Sequence, residues 1–107
     1  PEENQDAVTA LSGSGPAYVF NFIEAMIKSG INLGLSEEVA TQLAIGTITG
    51  SAAMLQESGI DAATLRKNVT SPNGTTAAAL KVFSDNNLEK IVADAMAAAK
   101  KRSQELA

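Results

Sequence analysis

Apolar residues in this chain recur at intervals of three and four, and nowhere do they alternate with polar ones for long enough to make a sheet strand. After Ser14 the stripe Val19, Phe22, Ile23, Met26 and Ile27 predicts the buried face of a first helix running to Ser29. Pro16 falls in its opening turn, where a missing N–H costs nothing, and Gly30 and Gly34 end it. Ser36 is placed to cap a second helix, with Glu37 and Glu38 in the first turn, where the helix dipole favours negative charge. That helix reaches Gln56 before Gly59 stops it. Asp61 caps a short third helix over Ala62 to Lys67, and a fourth covers Thr76 to Ser84. A fifth, capped by Asn86 or Asn87, runs from Leu88 to Leu106. Leu88, Ile91, Val92, Ala95, Met96 and Ala99 make its apolar face, while Glu89, Lys90, Asp94 and Lys100 to Arg102 make its solvated one. The expected fold class is all-α, with about five helices.

Within the second helix Gly46 and Gly50 stand four apart and share a face with Ala53 and Met54. Two mid-helix glycines cost about 1 kcal/mol each relative to alanine. Close approach by another helix would offset that cost; a flexible or kinked helix is the alternative.

Composition mainly excludes. The chain has 107 residues and 45% apolar content, enough for one domain with a core. Twelve acidic against eight basic residues leave a net charge of -4, and the basic residues cluster only at Lys100, Lys101 and Arg102, so a nucleic-acid partner is not expected. There is no cysteine and no histidine, which removes disulfides, thiolate chemistry and the usual ligands of zinc; no metal site is expected. No apolar run approaches the roughly 20 residues of a membrane span, and no signal peptide is visible. The expectation is a soluble, cytoplasmic protein.

Two segments rich in glycine and hydroxyl groups remain as candidate chemistry. "LSGSGPAY", Leu11 to Tyr18, enters the first helix sharply, so the amides there could face an anion; Ser14 as an ordinary cap explains the same residues. "TSPNGTT", Thr70 to Thr76, is richer. Pro72 holds Ser71 extended and Gly74 is free to take a positive φ, so N–H groups around Gly74, Thr75 and Thr76 can turn inward at a helix start. Such a turn receives a carboxylate or phosphate without any basic side chain. Thr75 merely capping the fourth helix, with Asn73 and Gly74 as the bend, is the plainer reading.

"DAVTALSGSGPAYVF" at Asp6 to Phe20, followed by "LRKNVTSPNGTT" at Leu65 to Thr76, resembles the C-terminal domain of the pyrroline-5-carboxylate reductase family, and the similarity spans essentially the whole chain. The resemblance implies a helical domain, residues 1–107, that dimerises through interleaved helices and completes a substrate site. In that family an N-terminal Rossmann domain binding NAD(P)H precedes it. No glycine-rich βαβ turn is present here, so Pro1 is expected near the domain boundary, and the chain alone is expected to bind no cofactor and to be inactive. Family enzymes reduce the cyclic imine 1-pyrroline-5-carboxylate to L-proline. Carried over by position, Ser71 and the amides of Gly74, Thr75 and Thr76 hold the substrate carboxylate, the Thr76 hydroxyl meets the ring nitrogen as the catalytic candidate, and Pro16 and Val69 lie near the nicotinamide. The partners implied are a second copy of the chain and the small imino acid, with no nucleic acid or membrane. Asn73 departs from the family's usual Ser-Pro-Gly-Gly-Thr-Thr, and its tolerance of left-handed backbone preserves the turn. "GIDAATL", Gly59 to Leu65, departs where many relatives carry His-Pro, which concerns the start of the third helix. The alternatives are the helical half of another Rossmann-type reductase and an association module without a ligand role.

Overall fold

The computed structural model describes residues 2–107, with side chains from Asn4 onward. Pro1, expected at a domain boundary, lies outside the described residues. Helices account for nearly all of the rest: α1 Glu2–Val8, a π-helical segment Thr9–Gly13, α2 Gly15–Asn32, α3 Glu37–Ser58, α4 Ala62–Asn68, α5 Thr75–Asp85 and α6 Leu88–Leu106. The described residues contain no strand. All five expected helices are present, preceded by α1 and the π segment, which the sequence pattern did not disclose.

The caps follow the sequence closely. Ser36 Oγ accepts from the Val39 N–H at 3.2 Å and opens α3. Asp61 opens α4, its carboxylate accepting from the Thr64 N–H at 3.2 Å and the Thr64 hydroxyl at 2.7 Å. Asn87 precedes α6 with φ 59° and makes no side-chain cap bond. Gly30 does not end α2, contrary to expectation. The helix continues to Asn32 and closes at Gly34, φ +110°, with Leu35 N–H donating to Gly30 O at 3.1 Å and Gly34 N–H to Ile31 O at 3.0 Å. This is the paired bonding of a Schellman motif, which satisfies carbonyls left open at the helix end. Gly30 serves packing instead: a Cβ there would lie 3.2 Å from the Ala40 Cβ.

Contacts gather into two compact units rather than around one core. One unit joins the chain up to Tyr18 with Thr70–Ala107. In it α6 packs on α1 and on the π segment, and α5 packs on α6. The Ser103 hydroxyl donates to Asp6 at 2.6 Å across α6 and α1, and the Tyr18 hydroxyl donates to the Ala10 carbonyl at 2.7 Å. The latter bond satisfies a carbonyl of the irregular π turn, which buried backbone requires. The other unit, Val19–Val69, holds most of α2 with α3 and α4.

The stripe predicted as buried is not buried within the chain. Val19 is 44% and Phe22 42% exposed, as are Leu43 at 57% and Met54 at 50% on α3. Among the described residues the buried apolar side chains are three alanines, Ala10, Ala40 and Ala44. The helical periodicity is genuine, and this chain covers it only in part, leaving Ile23, Met26 and Ile27 half-buried.

Candidate functional site

Residues Ser71 to Gly74 form a tight turn closed by the Gly74 N–H donating to the Ser71 carbonyl at 3.1 Å. Asn73 takes φ 62°, the positive value a type II turn demands at its third residue, after a proline that presets its second. The left-handed position thus falls on Asn73, and Gly74 sits at φ -89°, ψ -176°, in extended backbone. Gly74 is the N-cap of α5. It lacks a side chain for a steric reason: a Cβ there would come within 3.2 Å of the Ser71 carbonyl oxygen, tighter than ordinary contact.

With Gly74 as cap, α5 begins at Thr75, one residue earlier than the sequence pattern suggested, so Thr75 is not the cap. The first main-chain bond into the helix runs from the Ala78 N–H to the Gly74 carbonyl at 3.1 Å. No side chain caps the helix, and the N–H groups of Thr75, Thr76 and Ala77 have no acceptor among the described residues. The Gly74 amide, expected to face a ligand, is instead used inside the turn. The Ala77 amide, which the sequence reading did not name, is open beside those of Thr75 and Thr76, while the bond to Ser71 takes Gly74 out of the set. Thr76 is half-buried, while Ser71 and Thr75 are exposed.

From Thr70 to Leu80 there is no charged side chain, and Lys81, the next cation, is bound to Asp85 at 2.7 Å. Within this segment the positive potential comes from the helix dipole and the three open amides, with hydroxyls of Ser71, Thr75 and Thr76 on the same few residues. The arrangement can receive one small anionic group.

The other glycine-rich segment is not open in this way. Leu11 to Gly13 are helical, and Ser14, at φ -90° and ψ -14°, donates its N–H to Thr9 O at 2.8 Å. The Ala17 N–H is taken by Ser14 O at 3.1 Å. Pro16 occupies the opening turn of α2 and is exposed; Val69, in the other unit, follows α4 and is 61% exposed.

The fold is all-helical, its long helices carry exposed apolar side chains, and a turn with unpaired amides opens α5. The chain belongs to the pyrroline-5-carboxylate reductase dimerisation family, whose pattern matches residues 2–106. It is 52% identical over 106 residues to the pyrroline-5-carboxylate reductase of Pseudomonas aeruginosa, covering 99% of this chain and 39% of that protein. Among solved structures, a pyrroline-5-carboxylate reductase from Coxiella burnetii superposes with a TM-score of 0.97 at 41% identity, over 100% of this chain and 40% of that one. A pyrroline carboxylate reductase of Plasmodium falciparum, solved with NADP bound, superposes with a TM-score of 0.94 at 39% identity, over 98% of this chain and 42% of that one. The chain thus spans about two fifths of the length of these relatives.

Proposed function

We propose that this chain is the dimerisation and substrate-orienting domain of an NAD(P)H-dependent pyrroline-5-carboxylate reductase, acting in the cytoplasm on the last step of proline formation. The carrying observation is the start of α5, where three adjacent N–H groups lack acceptors in a segment free of charged side chains. The substrate is a small ring bearing a carboxylate and a C=N bond, and the turn's donors suit that carboxylate.

In this reading the Thr75, Thr76 and Ala77 amides and the Ser71 hydroxyl hold the carboxylate, and Gly74 keeps the turn tight enough to aim them. The Thr76 hydroxyl meets the ring nitrogen and steadies the proton it carries. Bound nicotinamide supplies the hydride that reduces the C=N carbon. The described residues contain no βαβ unit to hold a dinucleotide, so in this reading the nucleotide is held by another part of the protein. What this domain adds is orientation: fixing the carboxylate fixes the distance and face at which the imine carbon meets the hydride.

The second partner in the reading is another copy of this chain, supported by the exposed apolar faces of α2 and α3 and by the family match. The whole reading is tested by turnover. The full-length protein should oxidise NADPH or NADH only when 1-pyrroline-5-carboxylate is added, and the chain by itself should not. Failure of the full-length protein to turn over that substrate overturns the activity; turnover by the chain alone overturns the division of labour.

A further inference from the structure

Of the seven asparagines in the chain, Asn73 is the one followed by glycine. It is exposed, it holds φ 62°, and it stands one residue before the cap of the helix whose first amides are open. We propose that Asn73 is a site of spontaneous deamidation whose product carboxylate settles on the open amides of α5 and closes the turn to the substrate's carboxylate; the last step rests on the anion-site reading above.

The reaction requires the Gly74 nitrogen to reach the Asn73 side-chain carbon. A residue with a Cβ shields its own nitrogen from that attack, and Gly74 has none. The Gly74 N–H makes one bond, to the Ser71 carbonyl at 3.1 Å, in a turn whose other members are exposed, so a local opening releases it. In the opened turn the Gly74 N attacks Asn73 Cγ, a C–N bond forms, the proton from the Gly74 nitrogen passes through water to Nδ2, and ammonia leaves as the Cγ–Nδ2 bond breaks. Water then opens the five-membered imide at either carbonyl, giving an aspartyl or an isoaspartyl residue. The sum is amide plus water to carboxylic acid plus ammonia, with no change in oxidation state. Negative charge builds on the attacked carbonyl beside the positive end of α5, which favours the step there.

The other asparagines lack this combination. Asn4, Asn21 and Asn32 lie within helices, and Asn68 ends α4 in front of the branched Val69. Asn86 donates its side-chain amide to the Val82 carbonyl at 2.9 Å, and Asn87 precedes Leu88. The consequence at position 73 is also particular. A new carboxylate next to a helix start with three unsatisfied donors is an internal ligand for them, competing at zero dilution with any diffusing carboxylate.

The test ages the full-length protein at mildly alkaline pH and maps peptides by mass. Conversion at Asn73 should run at least roughly tenfold faster than at any other asparagine, the advantage of an unshielded glycine nitrogen. A rate no faster than the others overturns the proposal. Asn73→Asp and Asn73→Gly variants then read the consequence without substrate. In Asn73→Asp the amide signals of Thr75, Thr76 and Ala77 should be shifted from those of Asn73→Gly, and the shift should vanish as acid protonates the new carboxylate. Signals that match at all pH values overturn the capping step. Finally, L-proline should bind Asn73→Asp more weakly than Asn73→Gly, and equal affinity overturns the closure. Absence of proline binding in both variants and in the parent protein would end the substrate reading and the closure with it, while the conversion rates and amide shifts would still judge the modification itself.

Discussion

In the proposed reading Thr76 has two tasks, since its N–H belongs to the open helix start and its hydroxyl is the candidate for the ring nitrogen. Replacing Thr76 by alanine in the full-length enzyme keeps the amide and deletes the hydroxyl, so binding of the carboxylate should persist while the nitrogen loses its partner. A loss of roughly 10–100-fold in kcat/KM is expected, corresponding to about 1.5–3 kcal/mol of charge-assisted hydrogen bonding. Steady-state kinetics decide it, and an unchanged kcat/KM removes Thr76 from the mechanism. Residue identities made this corner visible in the sequence, because proline, asparagine, glycine and threonine each restrict backbone geometry in a known way. They did not reveal which residue carries the positive φ. Both Asn73 and Gly74 tolerate it, and only the closed bond from Gly74 to Ser71 shows that the turn ends at Gly74 and leaves the left-handed position to Asn73.

Helix starts were legible where a side chain caps them, as at Ser36 and Asp61, and also at Leu88, where Asn87 makes no cap bond; the start of α5, with glycine as its cap, was read one residue late. The π segment Thr9–Gly13 carries serine and glycine, which read as a turn, yet it stays helical because α6 packs on it and Tyr18 satisfies a carbonyl. Of these partners α6 is distant in sequence, so no local pattern announces its packing. Asp61 gives the capped ends a measurable signature. Its carboxyl is held below its ordinary value of 3.8 by the bond from the Thr64 hydroxyl, then by the Thr64 amide. A group whose folded pKa is depressed stabilises the fold above its unfolded value, and that contribution is lost as pH falls through the lowered folded value. Asp61→Asn retains a capping side chain without the charge. The parent protein should therefore melt above Asp61→Asn at neutral pH, and the gap should close on acidification below pH 3.8. A gap independent of pH, measured by thermal melts of both proteins, would assign the cap's effect to geometry alone. The carboxylate is fully exposed, so the effect is small.

At the scale of the whole molecule the unresolved quantity is surface. A compact folded chain of 11.0 kDa exposes roughly 5,600 Å², and this one exposes 8294 Å². The excess, about 2,700 Å², is open surface spread over the two units. Much of it is apolar, including Phe20 at 64% and Leu33 at 87% exposure. The sequence displayed the apolar periodicity and could not say what covers it, since periodicity records which face is apolar and not what buries it. Gly46 and Gly50 carry the same message. A Cβ at either would meet nothing within 4 Å in this chain, so within one copy the glycines gain nothing to offset their cost in helix stability. Gly46→Leu and Gly50→Leu separate the possibilities. In a lone chain both substitutions would find open space and raise stability by about 1 kcal/mol through helix propensity. If a second chain presses against that face, both should lower the melting temperature and shift the sedimentation equilibrium toward monomer. The parent chain should then be a dimer at micromolar concentration, with a melting temperature that rises as protein concentration is raised. A monomeric parent whose glycine variants melt higher would show that the exposed apolar faces are left open, and would overturn the dimer.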